Sequence, residues 1–231
     1  MRVGYGGGIP PNVGDGDRAA GADGVRDNLD PSWLRGSPPW LDLFGVWLRE
    51  AVEARIAEPN AMVLGTVDPD GRPATRTVLC KGADAAGIVF YTGRDSDKGR
   101  DLAANPVAAV TFPWIALERQ VHVRGRVTPV TAVEVQAYWD TRPRGSQLSA
   151  LASDQSRPIG SRRELEAKAA DVAARFGGLD GTTEVPVPEH WGGYRIEPTL
   201  VEFWQGRANR LHNRVRLTLV DGAWQAQRLQ P

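Results

Sequence analysis

One cysteine, three histidines and no long apolar run set the first limits on this chain. The lone Cys80 rules out an internal disulfide, and with His122, His190 and His212 it falls short of the ligand set of a usual structural zinc site. A reducing, cytoplasmic setting fits that composition. No stretch approaches the roughly 18 apolar residues of a membrane span, and the N-terminus lacks the apolar core of a secretion signal, so a soluble protein is expected. An excess of one charge is missing too: 28 Lys+Arg balance 28 Asp+Glu, and the pI is near 6.9. That balance argues against a general nucleic-acid or anionic-membrane binder, whose footprint is a large basic surplus. Any basic cluster is therefore local. Common catalytic motifs are absent as well. No G-x-G-x-x-G opens a helix after a strand, and neither G-x-x-x-x-G-K-[ST] nor G-x-S-x-G occurs, which leaves a Rossmann site, a P-loop and a nucleophile elbow unsupported. If the chain is an enzyme, a bound cofactor carries the reaction.

What is present begins with a Gly-, Pro- and Asp-rich segment, residues 1 to 38, that shows no apolar period and reads as a flexible arm. Residues 39–231 then read as a single domain. Trp40, Phe44, Trp47, Leu48, Ala51, Val52 and Ile56 recur at helical steps and predict an amphipathic helix closing near Glu58-Pro59. From Ala61 the period becomes that of strands. Ala61 to Val67, the turn Asp68-Pro69-Asp70-Gly71 and Ala74 to Lys81 form a predicted hairpin, followed by strands at Ile88 to Thr92, Val107 to Trp114 and Arg119 to Val130. Asp95 or Ser96 caps a short helix, running to Asn105-Pro106, between the first and second of these three. Helices are expected at Thr131 to Thr141, after Gly145, and from Ser161 to about Phe176. Strands return at Trp191 to Gln205, Asn213 to Val220 and Ala223 to Leu229, the last two joined at Asp221-Gly222. Short connections between many strands favour an antiparallel sheet curling towards a barrel, with peripheral helices: a mainly β, α+β fold.

Several segments combine basic and hydroxyl groups in ways that suit anions. In Arg210-Leu211-His212-Asn213-Arg214, strand spacing would put residues 210, 212 and 214 on one face, a row suited to a bound anion and equally to a solvated edge hairpin. Arg76 and Lys81 are five apart and fall on opposite faces of a regular strand, so they serve different ligands or need a bulge. Tyr91 and Thr92, with Ser96 and Lys98, mark a strand end and a helix start, where backbone N–H groups favour anions. Tyr138 and Arg142 lie one helical turn apart, with Ser146 just beyond the Pro143 break. A phenol, a guanidinium and a hydroxyl aimed at one point suit a phosphate monoester. Gln120 has an amide that can meet a heterocycle edge, and Trp204 a ring that can stack, although most of the eight tryptophans must fill core.

Taken together from about Trp40 to Pro231, the ordered motifs resemble the pyridoxamine 5′-phosphate oxidase family. The carriers are Pro59 to Val63, Arg76 to Lys81, Phe90-Tyr91-Thr92, Phe112-Pro113-Trp114 with Glu118-Arg119-Gln120, Tyr138 to Gln147, and Phe203-Trp204-Gln205-Gly206 leading into Arg210 to Arg214. The resemblance implies an antiparallel split β-barrel of the FMN-binding type and a homodimer with FMN at the subunit interface. It further implies oxidation of pyridoxine or pyridoxamine 5′-phosphate to pyridoxal 5′-phosphate, with O₂ as acceptor and H₂O₂ as product. It places FMN on Arg76, Thr77, Val78, Leu79, Lys81, Tyr91, Thr92, Lys98, Gln120, Gln155, Ser156, Trp204 and Arg214. Substrate falls on Lys81, Tyr138, Arg142, Ser146, Arg210 and His212, with Arg2 and Tyr5 of the arm folding over it. Arg210 and His212 would face the reacting carbon. Relatives within this resemblance that oxidise dihydrophenazine carboxylates, or that bind FMN or pyridoxal phosphate without catalysis, define the alternative functions. One departure stands out: Asp97 precedes Lys98 where the family has Arg before Lys. A carboxylate beside a phosphate is repulsive, so Asp97 must point away or be balanced by Arg94 or Arg100.

Overall fold

The computed structural model describes residues 29–231. Nine strands form one antiparallel sheet: β1 (Ala61–Val67), β2 (Pro73–Leu79), β3 (Gly82–Asp84), β4 (Gly87–Gly93), β5 (Val107–Trp114), β6 (Arg119–Pro129), β7 (Trp191–Gln205), β8 (Asn213–Val220) and β9 (Ala223–Leu229). Their order is β2-β1-β5-β6-β7-β4-β3, with β8 on β7 and β9 on β8. The split lies in β7. Its residues 191–196 pair with β4, whereas residues 200–205 on the same edge pair with β8, and β6 runs beside both halves. A bulge between Arg124 and Gly125 helps the long β6–β7 ribbon to coil. Gly125 is required there, since a Cβ would lie 1.9 Å from the Glu197 carbonyl oxygen.

Alternation decides the faces of the sheet. Val121 and Val123, Val201 and Phe203, and Val215 and Leu217 point inward and are buried. They meet Trp40, Phe44, Trp47 and Leu48 of helix α1 (Leu41–Glu53) and its approach in the main core. A second core around Trp139, Leu148, Val172 and Trp191 lies under α3 (Ala132–Thr141), α4 (Arg144–Ala152) and α5 (Arg162–Arg175). Helix α2 (Asp97–Ala104) follows β4 and is capped by Ser96, whose hydroxyl accepts from the Gly99 N–H. Helix α3 opens with a capping box between Thr131 and Glu134. No described helix is long and apolar enough to cross a membrane.

Three expectations shift. Helix α1 closes at Glu53 rather than near Glu58, because Arg55 and Glu58 adopt left-handed backbone at φ 56° and 51°, which ends the helix before its apolar period does. The second hairpin strand ends at Leu79: the Cys80 N–H turns to Asn60 O and the Lys81 N–H to Val89 O, starting the short β3. Residues 29–38, grouped with the arm by composition, lie against the domain, with Leu29 fully buried and its carbonyl accepting from Arg228.

Candidate active site

The first cluster forms where β4 hands over to α2. Lys98 Nζ donates to Thr92 Oγ1 and Ser96 Oγ, both at 3.1 Å, and Gln155 Oε1 accepts from Thr92 Oγ1 (2.9 Å) and the Gly93 N–H (3.1 Å). These partners bring no compensating negative charge to the ammonium. Burial, then the nearby Arg76 guanidinium, push the Lys98 pKa down to about 8. A buried cation depressed in this way is poised for an anion that would restore its charge. Asp97 is exposed and balanced by a pair with Arg100, although its charge still acts on Lys98, raising its pKa against the larger effect of burial. Arg76 reaches the same region from β2, but it is partly committed, with Nη1 donating to Thr66 Oγ1 and Nη2 3.4 Å from Asp101. Thr77, Val78 and Leu79 lie on β2, a sheet edge whose outer side has no strand partner among the described residues. Ser156 sits beside Gln155 in left-handed backbone, at φ 67°.

Were Lys98 to receive a dianionic phosphate, the pH dependence of the affinity would follow from that pKa. Such a phosphate would raise the lysine's pKa, so binding would be strongest below about pH 8 and would weaken above it by at most about tenfold per pH unit. Flavin-fluorescence titration between about pH 7 and pH 9 should show this slope, and Lys98→Met should flatten it.

The second cluster lies beside it, under α3 and α4. Tyr91 and Tyr138 stack at 4.0 Å between ring centres, and Trp191 lies parallel to both. Gly193 makes room for this: a Cβ there would sit 2.7 Å from the Tyr91 ring. The Arg142 guanidinium lies 5.0 Å from the Trp191 ring centre, 5.7 Å from Trp139 and 5.8 Å from Tyr138, while Lys81 Nζ is 5.9 Å from Tyr138. Arg142 Nη2 donates to the Ser146 carbonyl at 3.1 Å, and its buried Nε has no partner among the described residues. Burial and the Arg142 charge lower the Lys81 pKa, and burial raises those of Tyr138 and Tyr91, the latter to about 12. Of the expected set, Lys81, Tyr138 and Arg142 are brought together, while Ser146 meets Arg142 through its backbone carbonyl. Sequence reasoning missed Trp191, whose signal was an aromatic residue ahead of the pair Gly192-Gly193 at a strand start.

The third cluster is at the far end of β7. Gln120, Trp204 and Arg214 are direct neighbours across β6, β7 and β8. The His212 ring lies 4.7 Å from that of Trp204, and its Nδ1 accepts from the Arg207 N–H. The row expected from residues 210, 212 and 214 on one strand is corrected here. Residues Ala208–Arg210 form a 3₁₀ turn, Asn209 and Arg210 have φ of 57° and 61°, and β8 begins only at Asn213. Arg210 is exposed at this turn, whereas Arg214 sits in the ladder. Arg2 and Tyr5 lie outside the described residues. Cys80 is buried with its pKa pushed up to about 12, which makes it an inert core thiol.

Two cation-rich pockets, one of them with the buried Arg142 Nε unpartnered among the described residues, an edge strand and a Gln-Trp-Arg row on a split antiparallel barrel suit a flavin-binding split barrel. The comparisons with known proteins agree. A family model for pyridoxamine 5′-phosphate oxidase matches residues 48–176, and one for the pyridoxine 5′-phosphate oxidase C-terminal dimerisation region matches residues 191–231. The chain is similar to the pyridoxine/pyridoxamine 5′-phosphate oxidases of Mycolicibacterium gilvum (56% identical, covering 100% of this chain and 96% of that one) and Rhodococcus jostii (52%, covering 100% and 97%). Its fold is similar to that of PhzG from Burkholderia lata 383, solved with tetrahydrophenazine-1-carboxylic acid: TM-score 0.81, 32% identity, covering 89% of this chain and 98% of that one. The chain therefore belongs to the pyridoxamine 5′-phosphate oxidase family and is an FMN-dependent oxidoreductase of vitamin B6 metabolism that carries the family's dimerisation region.

Proposed function

We propose that the protein oxidises pyridoxine 5′-phosphate or pyridoxamine 5′-phosphate to pyridoxal 5′-phosphate in the cytoplasm, with O₂ as final acceptor and H₂O₂ as product. The observation that carries this reading is Arg142, held over aromatic faces beside Lys81 and Tyr138 with a buried donor unpaired, an arrangement that suits a phosphate monoester. Lys81, Tyr138, Arg142 and Ser146 take the substrate phosphate. Arg76 to Leu79, Lys81, Tyr91, Thr92, Lys98, Gln155 and Ser156 hold one part of FMN, and Gln120, Trp204 and Arg214 the other. When bound, FMN supplies the two-electron acceptor; the protein contributes binding, orientation and charge. Arg210 and His212 orient the pyridine ring at its reacting carbon, and Arg2 with Tyr5 covers it.

One chain does not bring all of these together. Arg142 packs on Trp191 and His212 packs on Trp204, at opposite ends of β7, about 40 Å apart along the strand path. Each site is therefore completed across a homodimer, with Arg142 from one subunit and Arg210, His212 and Arg214 from the other.

The test is a pair of variants. Arg210→Ala should lower turnover far more than FMN affinity, and Arg214→Ala should do the reverse; flavin titration and steady-state peroxide assays read both, and the opposite ordering refutes the assignment. The likeness to PhzG motivates a second reading, in which the same fold and flavin act on a reduced phenazine carboxylate. Peroxide release with pyridoxine 5′-phosphate supports the first reading, release only with the phenazine supports the second, and a retained flavin with no release marks a binding protein without catalysis.

A further inference from the structure

Next to the Gln120-Trp204-Arg214 row runs a second one, two residues along each strand, in which His122, Glu202 and Arg216 are direct neighbours. Glu202 is the centre of this row and is buried, with 8% of its side chain exposed. Each of its oxygens is held by a different arginine. Oε1 accepts from Arg214 Nε at 2.8 Å and lies 2.7 Å from its Nη2, and Oε2 accepts from Arg216 Nε at 3.0 Å and Nη2 at 2.8 Å. Arg214 Nη1 also donates to the Gln230 carbonyl at 3.1 Å. His122 hydrogen-bonds Thr111 through Nδ1, and burial pushes its pKa down, so it adds no third positive charge to the row at neutral pH. A guanidinium has five N–H groups in a rigid plane. Glu202 and Gln230 engage two of them on Arg214, through Nε and Nη1, and Nη2 lies in ion-pair range of Glu202, which fixes the plane and leaves N–H groups on the terminal nitrogens for a ligand.

We propose that Glu202 is a positioning residue for the flavin site: it aligns the Arg214 fork and offsets part of the positive charge that Arg214 and Arg216 bring near the isoalloxazine ring. This rests on the assignment of Arg214 to FMN made above. The ring, rather than the phosphate, is the part concerned, because Gln120 and Trp204 flank Arg214, whereas Lys98 and Thr92 belong to a separate cluster beyond the other end of β7. Two consequences separate. Losing the carboxylate frees the guanidinium to rotate, which weakens FMN binding. It also leaves the neighbourhood more positive, which favours the electron-rich reduced flavin over the oxidised one.

Glu202→Gln should therefore raise the Kd for FMN about tenfold, and it should favour the reduced flavin about tenfold over the oxidised one, a positive shift of about 30 mV in the two-electron potential. Glu202→Gln/Arg216→Gln removes one charge of each sign. It should keep the weakened Kd but return the potential to the wild-type value, and it carries the test if the single variant does not fold. Glu202→Asp keeps the charge and should leave the potential unmoved. FMN titration of the apoprotein and dye-coupled potentiometry of the holoprotein provide the readings. The proposal is overturned if Glu202→Gln matches wild type in both while Arg214→Ala weakens FMN, or if its Kd rises and its potential stays put, which leaves Glu202 a structural group. If Arg214→Ala itself binds FMN like wild type, the underlying assignment fails and the proposal falls with it.

Discussion

Arg142→Leu raises the KM for pyridoxine 5′-phosphate about 10- to 100-fold, the cost of one lost charge-assisted contact of about 1.5–3 kcal/mol. The leucine fills the space against Trp191 and Trp139 without an anion partner, so the loss belongs to phosphate binding rather than to collapse of the aromatic cluster. Dephosphorylated pyridoxine makes the discrimination sharp. It has no phosphate to lose, so its kcat/KM should be the same for wild type and variant. Equal losses for both substrates would place the damage in the scaffold and sink the phosphate assignment. Bound flavin should survive, because Lys98, Thr92 and Gln155 form their own hydrogen-bonded cluster.

The largest effect on stability is expected away from any ligand. Arg119 is 6% exposed, ion-pairs with Glu50 of helix α1 and lies 4.8 Å from the Trp47 ring centre, tying α1 to β6. Glu50→Ala leaves that guanidinium buried and unpaired, which costs about 3–5 kcal/mol. Glu50→Ala/Arg119→Met should recover much of the loss, since replacing both partners removes the stranded charge. Urea denaturation of the apoprotein measures both; a single variant within about 1 kcal/mol of wild type would show that the pair is solvated.

The fold was legible because its signals are local. The β-branched and aromatic runs located every long strand, Asp221-Gly222 supplied the left-handed pair at φ 50° and 79° that its hairpin turn needs, and Thr131 and Ser96 capped the helices assigned to them. The first two clusters were partly legible for the same reason. Tyr138, Arg142 and Ser146 are close in sequence: Arg142 caps the helix that carries Tyr138, and Ser146 follows in the next helix, where its carbonyl accepts from Arg142. What the sequence hid was backbone strain and non-local pairing. Nothing in Arg210 to Arg214 announces the left-handed residues Asn209 and Arg210, so an extended row was expected where a 3₁₀ turn stands. Trp191 and Glu202 acquire their roles from partners on other elements, which no single-segment pattern reveals.

The length of β7 has a genetic consequence. If the two ends of this strand serve different active sites of one dimer, Arg142→Leu and Arg210→Ala damage complementary halves, the first in phosphate binding and the second in turnover. At substrate concentrations well below the variant KM, where both variants are nearly silent, random reassortment of the two populations would make half the dimers hybrid, each with one undamaged site, and restore about one quarter of wild-type activity. Co-expression from two alleles should show the same rescue, so that two loss-of-function lesions mapped to opposite ends of a single strand would complement each other in a cell.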